Sequence, residues 1–483
     1  MSIDLIAVDL GASGTKIIRG SFNGKQLDIN KIGYVNSFHY EKNNLSWWDF
    51  TKIYDSVTKV IDKATKHYDV ESVGFDSWGV DFGLLDKKGN LINDPLQYRT
   101  MFRAKDHIRK IIEENRNYIS KRIPTQFQPF NTVYQLLFYK KAHEELLKKA
   151  DKILSIPSLF AYKLTGKKYY EFTQATTTQL YDYRANKWDY EMIKTLCIPE
   201  IFPEVVPPGT VLNSDKEYKV ILPASHDTGS AFASVSAKSN QVMIISLGTW
   251  CLNGVVVSKL PKTKELLKHN YAVEGCADGR LRVIANTTGL WLFQKLKEQW
   301  DSTNNPVTYE KLVKMAEDAP SFSGFIDVDK EIFQKTKQMD YEIANESKKL
   351  SGKAPQTKNE IARIALESIA LKIRKTKEDL EKLFGYRLNR IRIVGGGINN
   401  TLLCQMIANT TNLPVIAGPV DGTAIGNLLL QLLALNYVSS FEQGYELLTN
   451  SFEHIEYNPH NTSMWDKAFD KFIKMIEQNY TIS

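Results

Sequence analysis

Cysteine is scarce in this chain, and its spacing pairs nothing: Cys197, Cys251, Cys276 and Cys404 never form a Cys-x-x-Cys arrangement. That excludes a zinc knot, a redox dithiol and a disulfide scaffold, and the four read as reduced thiols of a cytoplasmic protein. No run of about 18 apolar residues occurs, and the first residues lack the basic stretch and apolar core of an export signal. The expectation is a protein neither exported nor membrane-spanning. Low-complexity tracts are missing, and so is a compact basic arm with interleaved aromatics. The surplus of 62 Lys and Arg over 55 Asp and Glu is scattered over segments such as Lys140 to Lys152. A scattered surplus reads as a solvated lysine-rich surface, so no nucleic-acid partner is expected.

What is present is apolar material for more than one core. At 483 residues, 43% of them hydrophobic, the chain exceeds what a single core usually serves. Two domains are expected, residues 1–238 and residues 239–483, with a ligand in the cleft between them.

Leu5 to Val8 is a short run of strand type that ends in Asp9-Leu10-Gly11-Ala12-Ser13-Gly14-Thr15-Lys16, after which Ile17 and Ile18 restart a strand. Strand, small-residue turn and strand make a hairpin. The glycine spacing and following helix of a Walker A loop are both missing. The tip still offers backbone N–H groups, the Ser13 and Thr15 hydroxyls and the Lys16 ammonium, a concavity suited to phosphate. Asp9 would repel a bare phosphate but suits magnesium, which keeps several waters and takes one or two carboxylates.

Val73 to Asp76 reads as the next strand, then Trp78-Gly79-Val80-Asp81-Phe82, then a strand pair around a turn at Asp86 to Gly89. Two carboxylates, Asp76 and Asp81, and Trp78 stand beside a glycine that lets backbone approach a ligand, which suits a polyol. Helical spacing is expected from Trp47 to Tyr68, from Asn131 to Ala150 as one amphipathic helix, and from Ile153 to Thr165. The Thr-rich segment Thr173 to Tyr183 offers no chemistry by itself.

The stretch from Val220 to Val255 organises the chain. It carries an acid–base pair, His226-Asp227, followed by Thr228-Gly229, and a glycine-hydroxyl turn, Ser246-Leu247-Gly248-Thr249. The turn repeats the plan of Asp9-Leu10-Gly11, with Ser246 in the place of Asp9. Two halves of similar topology are expected, each giving a loop to one nucleotide, with the metal handled on the Asp9 side alone. Further on, Asn286 stands just before a helix, and Thr357-Lys-Asn-Glu360 is a capping box opening a long helix that ends at Gly385. Strand Arg390 to Val394 leads through Gly395-Gly396-Gly397 into a helix beginning near Asn400, where backbone passes close to a base, ribose or phosphate. An apolar helix from Asn427 to Leu435 and a charged helical cover from Phe441 to Tyr480 complete the chain.

In order, Asp9-Leu-Gly-Ala-Ser-Gly-Thr-Lys16, Asp76-Ser-Trp-Gly-Val-Asp-Phe82, Phe130-Asn-Thr-Val-Tyr-Gln-Leu136, Thr176-Thr-Thr-Gln-Leu180, Ala224-Ser-His-Asp-Thr-Gly-Ser-Ala231, Leu247-Gly-Thr-Trp250, Thr288-Gly-Leu-Trp-Leu-Phe-Gln294 and Ile393-Val-Gly-Gly-Gly-Ile-Asn-Asn400 resemble the FGGY carbohydrate kinases, and within that family the rhamnulokinases. The resemblance implies an α/β fold of two ribonuclease H-like, actin-like ATPase domains with an interdomain cleft. It implies ATP-dependent phosphorylation of the primary hydroxyl of a ketose, L-rhamnulose to its 1-phosphate, with Mg2+. Carried over residue by residue, Asp227 is the base. Gly79, His226, Thr228, Asn286, Trp78 and Asp81 bind the sugar, with Trp78, Val80 and Phe82 as candidates for an apolar wall against its methyl group. Ala12, Ser13, Gly14, Thr15, Lys16, Thr249, Gln294, Gly396 and Asn400 hold the nucleotide, and Asp9 orders the metal. Partners are small molecules, and the chain is expected as a monomer or homodimer.

The first loop departs from the subfamily's usual Gly-Ala-Ser-Ser-Gly-Arg, Tyr98-Arg99 lacks the following Asp, and Cys276 stands where glycine is common. These differences bear on which sugar is taken, L-fuculose, xylulose and ribulose being the alternatives. A non-catalytic actin-like ATPase or sugar sensor would have no use for a base such as Asp227. A metal phosphohydrolase would need more His and Asp around the His226-Asp227 pair.

Overall fold

The run at Leu5 to Val8 is the middle of a nine-residue strand, Ile3–Gly11, that turns through Ala12 and Ser13 into a second, Gly14–Phe22. The computed structural model describes residues 2–103, 105–235, 239–301 and 306–480. The junction expected at 238/239 lies partly outside them. The chain divides into two units: Met1–Ser236 with Val257–Val283 and Asp421–Glu453, and Ala237–Val256 with Ile284–Val420 and His454–Ser483.

In the first unit a six-stranded sheet runs in the order Thr210–Leu212, Lys219–Leu222, Val70–Ser77, Ile3–Gly11, Gly14–Phe22, Leu27–Asn36. Its three central members, Lys219–Leu222, Val70–Ser77 and Ile3–Gly11, are parallel. Strand alternation sends successive side chains to opposite faces. Ile6, Val8 and Leu10 pack with Val57, Ile61 and Phe160 on one face, under the helices Phe50–Thr65 and Ile156–Thr165. Leu5 and Ala7 pack with Ile425, Leu428, Leu429 and Leu432 on the other, under the helix Gly422–Ala434. Asp9 and Asp76 follow the parity of the second face.

The second unit repeats the plan. Val242–Leu247 is antiparallel to Trp250–Val257 and parallel to Arg390–Val394, which is parallel to Val415–Ala417. The capping box at Thr357 and Glu360 is formed, and its helix, Lys358–Phe384, ends at Gly385 in the left-handed conformation glycine favours.

Several local expectations change. The helix expected from Asn131 to Ala150 is two, Thr132–Ala142 and Glu144–Lys149, broken at His143, and Thr132 to Tyr139 are buried all round rather than on one stripe. Ile153 belongs to a strand, Lys152–Ser155, that pairs with Phe82–Leu85, so the turn at Asp86 to Gly89 carries only an isolated bridge, Leu85 to Leu91. The second helix begins at Ile156, where Ser155 caps it. The charged cover is interrupted by Ile455–Tyr457, which extends the second sheet beside Val415–Ala417. Among the described residues no helix is long and apolar enough to cross a membrane.

The helix Gly422–Ala434 approaches the short helix Asp227–Ala233 so closely that a Cβ on Gly426 would overlap the Ser230 carbonyl oxygen. Gly426→Ala is therefore expected to cost about 1–3 kcal/mol through overpacking, read as a lower urea midpoint. An unchanged midpoint would mean that the two helices separate freely.

Candidate active site

Three carboxylates gather at the carboxyl ends of the three parallel strands of the first unit. Asp9 and Asp76 are register partners on adjacent strands. Ser77 donates its N–H to the Ser225 carbonyl at 2.9 Å and bridges to His226, which places Asp227 beside them. Burial, then the neighbouring Asp227 and Asp421, push the Asp9 carboxyl up to about 7 against the pull of Lys16. Burial and the Asp9 charge push the fully buried Asp76 well above the usual carboxylate range.

Asp76, read from sequence as one of two carboxylates beside a sugar, stands instead beside Asp9. Its Oδ2 accepts from Asn427 Nδ2 at 2.6 Å, while its Oδ1 is buried without a partner. Asn427 Oδ1 accepts from Gln431 Nε2 at 2.8 Å, and Gln431 Oε1 accepts from Ser72 Oγ at 2.6 Å. This ladder ties the strand end to the helix Gly422–Ala434. The available signal was that Asp76, like Asp9, closes an apolar strand run.

The hairpin tip exposes Ser13 and Lys16, whereas Thr15 is buried and lines a small cavity with Leu10, Trp48 and Trp78. Thr15 thus stands among core residues, whereas the exposed edge expected for a phosphate is offered by Ser13 and Lys16. Tyr34 lies over the tip, donating to the Ser13 carbonyl at 3.3 Å. A Cβ on Gly14 would overlap its phenol oxygen. Lys16 Nζ pairs with Asp421 Oδ1 at 3.0 Å. A pair this exposed is worth about 0–1 kcal/mol, so a phosphate can take the ammonium from it.

On the expected sugar side, Gly79 packs closely on Thr177: a Cβ would stand 3.0 Å from Thr177 Cγ2, so a larger residue would need that side chain to shift by a few tenths of an ångström. Val80 is held at φ 73, a strained value for a β-branched residue. Three bonds hold it there: its N–H donates to Thr177 Oγ1, and its carbonyl accepts from Thr132 Oγ1 and Gln135 Nε2. Asp81 stands behind Trp78. Its Oδ2 accepts from Trp48 Nε1, Trp78 Nε1 and the Tyr98 N–H, and its Oδ1 from Gln135 Nε2. Through these four bonds the buried Asp81 orients both tryptophans.

The Thr-rich segment proves to be the floor of this site. Gln174 Nε2 donates to the Ser225 carbonyl at 2.9 Å and to the Trp78 carbonyl at 3.2 Å. Buried Glu171, pushed up to about 7 by desolvation, accepts from the N–H groups of Thr173, Gln174 and Ser225. Thr173 Oγ1 accepts from the His226 N–H at 3.0 Å. Asp227 Oδ1 accepts from the Thr228 N–H at 2.5 Å and from Thr228 Oγ1 at 3.1 Å. Its Oδ2 carries no hydrogen bond among the described residues.

In the second unit, the turn after Val242–Leu247 and the turn after its parallel neighbour Arg390–Val394 lie side by side. Thr249 Oγ1 donates to Gln294 Oε1 at 3.1 Å, and the Leu290 N–H donates to the Gly248 carbonyl at 2.8 Å, so the turn and the start of the helix Trp291–Trp300 form one piece. Gly395 has φ 91, and a Cβ there would crowd the Leu247 carbonyl at 2.9 Å. Gly396 is exposed and faces open space, the property a ligand-approaching backbone needs. Asn400 Oδ1 caps the helix Thr401–Thr411 by accepting from the Leu403 N–H at 3.0 Å. Asn286 lies inside the strand Leu281–Thr288, with its Oδ1 buried and unpaired.

Among the described residues no group of three or more His, Cys, Asp or Glu forms a closed metal site. The donor set fits magnesium of another kind, one that keeps most of its waters and arrives with phosphates. An unpartnered Asp76 oxygen and an Asp9 carboxyl raised by burial and by neighbouring acids would both be relieved by a nearby cation.

Residues 5–221 match the N-terminal domain, and residues 243–435 the C-terminal domain, of the FGGY family of carbohydrate kinases. A rhamnulokinase of Oceanobacillus iheyensis is 34% identical over 93% of this chain and 97% of that protein. A rhamnulokinase of Halalkalibacterium halodurans is 35% identical over the same shares. Among solved structures, a gluconate kinase from Lactobacillus acidophilus superposes with TM-score 0.80 at 19% identity, covering 99% of this chain and 98% of that one. A ligand-bound xylulose kinase from the same organism gives 0.79 at 19% over the same shares. The fold is thus that of the two-domain α/β sugar kinases.

Asp76 yields a pH-dependent expectation. Its ordinary value is 3.8, and the fold raises it well above that. The folded chain therefore holds this proton more tightly than the unfolded one, and the stability it contributes is lost as pH rises from about 4. Asp76→Asn is expected to unfold at higher urea than the wild type at neutral pH, with the gap closing toward about pH 4 and turnover falling. A gap that stayed constant with pH would rule out this linkage.

Proposed function

Because the chain belongs to the FGGY family of carbohydrate kinases, we propose that it transfers the γ-phosphoryl group of ATP to the primary hydroxyl of L-rhamnulose, giving the 1-phosphate and ADP. The observation that carries the chemistry is the asymmetry of Asp227: Oδ1 is occupied by Thr228, and Oδ2 is left to accept a proton. The choice of sugar is supported by the rhamnulokinases that resemble the chain over nearly its full length.

Phosphoryl transfer asks a protein mainly for positioning and for neutralising charge on the moving group. In this reading the sugar O1–H gives its proton to Asp227 Oδ2 as O1 bonds to the γ-phosphorus and the bond to ADP breaks. His226 and the Gly79 backbone hold the other hydroxyls, against a wall that includes Trp78. Lys16 leaves Asp421 for a phosphate oxygen, and the hairpin N–H groups at Ala12 to Gly14 add further donors. Thr249, Gln294 and Gly396 of the second unit are assigned to the nucleotide, Asn400 acting through the helix it caps. Magnesium, held through Asp9 with Asp76 behind it, would neutralise phosphate charge when bound. A cytoplasmic setting belongs to the same proposal, supported by four free cysteines, three of them buried.

A coupled assay over L-rhamnulose, L-fuculose, xylulose and ribulose tests the reading, with the highest kcat/KM expected on L-rhamnulose. On that substrate Asp227→Asn should lose roughly 10²- to 10⁴-fold in kcat, the usual worth of a general base, while ATP binding persists in calorimetry. Full activity in the variant would move the base elsewhere.

A further inference from the structure

Arg282 is the largest charged side chain sealed inside the first unit, with no solvent exposure, and the reaction as drawn above does not use it. Its guanidinium is fully engaged. Nη1 donates to the Gly275 carbonyl, Nε donates to Glu274 Oε2 at 3.1 Å, and Nη2 lies 2.5 Å from Glu274 Oε2 and 2.7 Å from His226 Nδ1. Burial raises the Glu274 carboxyl, but Arg282 and then His226 outweigh it and draw it down to about 2, so the Arg282–Glu274 pair is ionised and locally neutral.

A guanidinium has donors only. A His226 with a proton on Nδ1 would point it at the Nη2 hydrogens 2.7 Å away. Glu274 Oε2, 3.2 Å from Nδ1, is already taken by Nη2 and Nε. The arrangement that satisfies every group has the Nδ1 lone pair accepting from Arg282 and the ring proton on Nε2. That nitrogen lies 3.4 Å from Asp227 Oδ1.

We propose that Arg282 is a positioning residue that fixes His226 as the Nε2–H tautomer, so that His226 offers the site a donor, toward Asp227 Oδ1 or a substrate oxygen, and never an acceptor. Asp227 Oδ1 then meets donors only, from Thr228 and His226, and the proton-accepting role is confined to Oδ2. A ligand oxygen at His226 must be one that can accept. The consequence for substrate rests on the kinase reading above, but the tautomer itself does not.

The test is two-dimensional 1H–15N NMR of the full chain labelled at histidine, with the His226 signals identified by their loss in His226→Asn. The wild type should show Nδ1 with the shift of an unprotonated nitrogen and Nε2 with that of a protonated one. The reverse pattern overturns the proposal, whether or not any ketose is turned over. Because Arg282→Met alone strands a buried carboxylate and can fail to fold, the paired variant Arg282→Met with Glu274→Gln removes both charges. It should lose the fixed Nε2–H pattern and cut kcat/KM roughly 10- to 100-fold, the scale seen when a partner that orients a functional histidine is removed. A paired variant that keeps the wild-type pattern at His226 also overturns the assignment. A wild type with the expected tautomer but no kinase activity would sink the function and leave this inference standing.

Discussion

The constraint on which the first unit depends is the burial of acidic groups side by side: Asp9 and Asp76 are direct register partners at the end of adjacent parallel strands, raised first by loss of hydration and then by neighbouring carboxylates, Asp227 among them. Carboxylates in this position repel one another and lose hydration, so the surrounding fold must impose the arrangement. It does so through the helix Gly422–Ala434, whose apolar side packs under Leu5 and Ala7 and whose Asn427 and Gln431 bond to Asp76, the Gly74 carbonyl and the Ile6 carbonyl. Because that helix comes from late in the sequence, the acidic cluster cannot form until residues 421–453 have returned to the first sheet. Closing so long a loop is slow to reward, and Gly74 on the sheet leaves the room that Asn427 and Gln431 occupy.

What could be read beforehand was whatever a short window records. The first hairpin, the capping box at Thr357 and the glycine turn after Val394 all carry their own local signals and stand where those signals put them, while the helix expected from Trp47 to Tyr68 is shorter, Phe50–Thr65, because Trp47 and Trp48 belong to a strand. The helix of Thr132 to Ala142 failed because residues buried on every face show no stripe, so the only period visible was that of its charged end at Lys140 and Lys141. The pairing of Phe82–Leu85 with Lys152–Ser155 failed because a strand about 70 residues away leaves no trace beside a good turn such as Asp86 to Gly89.

Site residues divided along the same line. Asp227 and Lys16 stand out because their neighbours in sequence are small and polar. Glu171, Gln174 and Arg282 do not, since what makes them functional is three-dimensional: each is buried and satisfies the backbone or side chains of the loop around Ser225 and His226. Val80 belongs with them, for its positive φ is held by Thr132, Gln135 and Thr177, none of them nearby in sequence. A threonine-rich stretch looks inert until its hydroxyls are seen closing the bonds that strand and loop leave open.

The two units share a plan, a hairpin whose first strand is flanked by a parallel one, and their difference lies in the residues at equivalent places. Asp9 opposite Asp76 in the first unit becomes Ser246 opposite Val394 in the second. The second pairing requires no compensation, so its strand ends pack in the ordinary way and its turns, at Thr249 and Gly395 to Gly397, present small residues and backbone. The first pairing buries two acids whose ionisation a nearby cation would favour. One scaffold thus carries both an uncharged strand end and an acidic one, and the acidic one is bonded to a helix from late in the chain, through Asn427 to Asp76. A carboxylate at Ser246 would stand opposite Val394, with no second acid as its register partner.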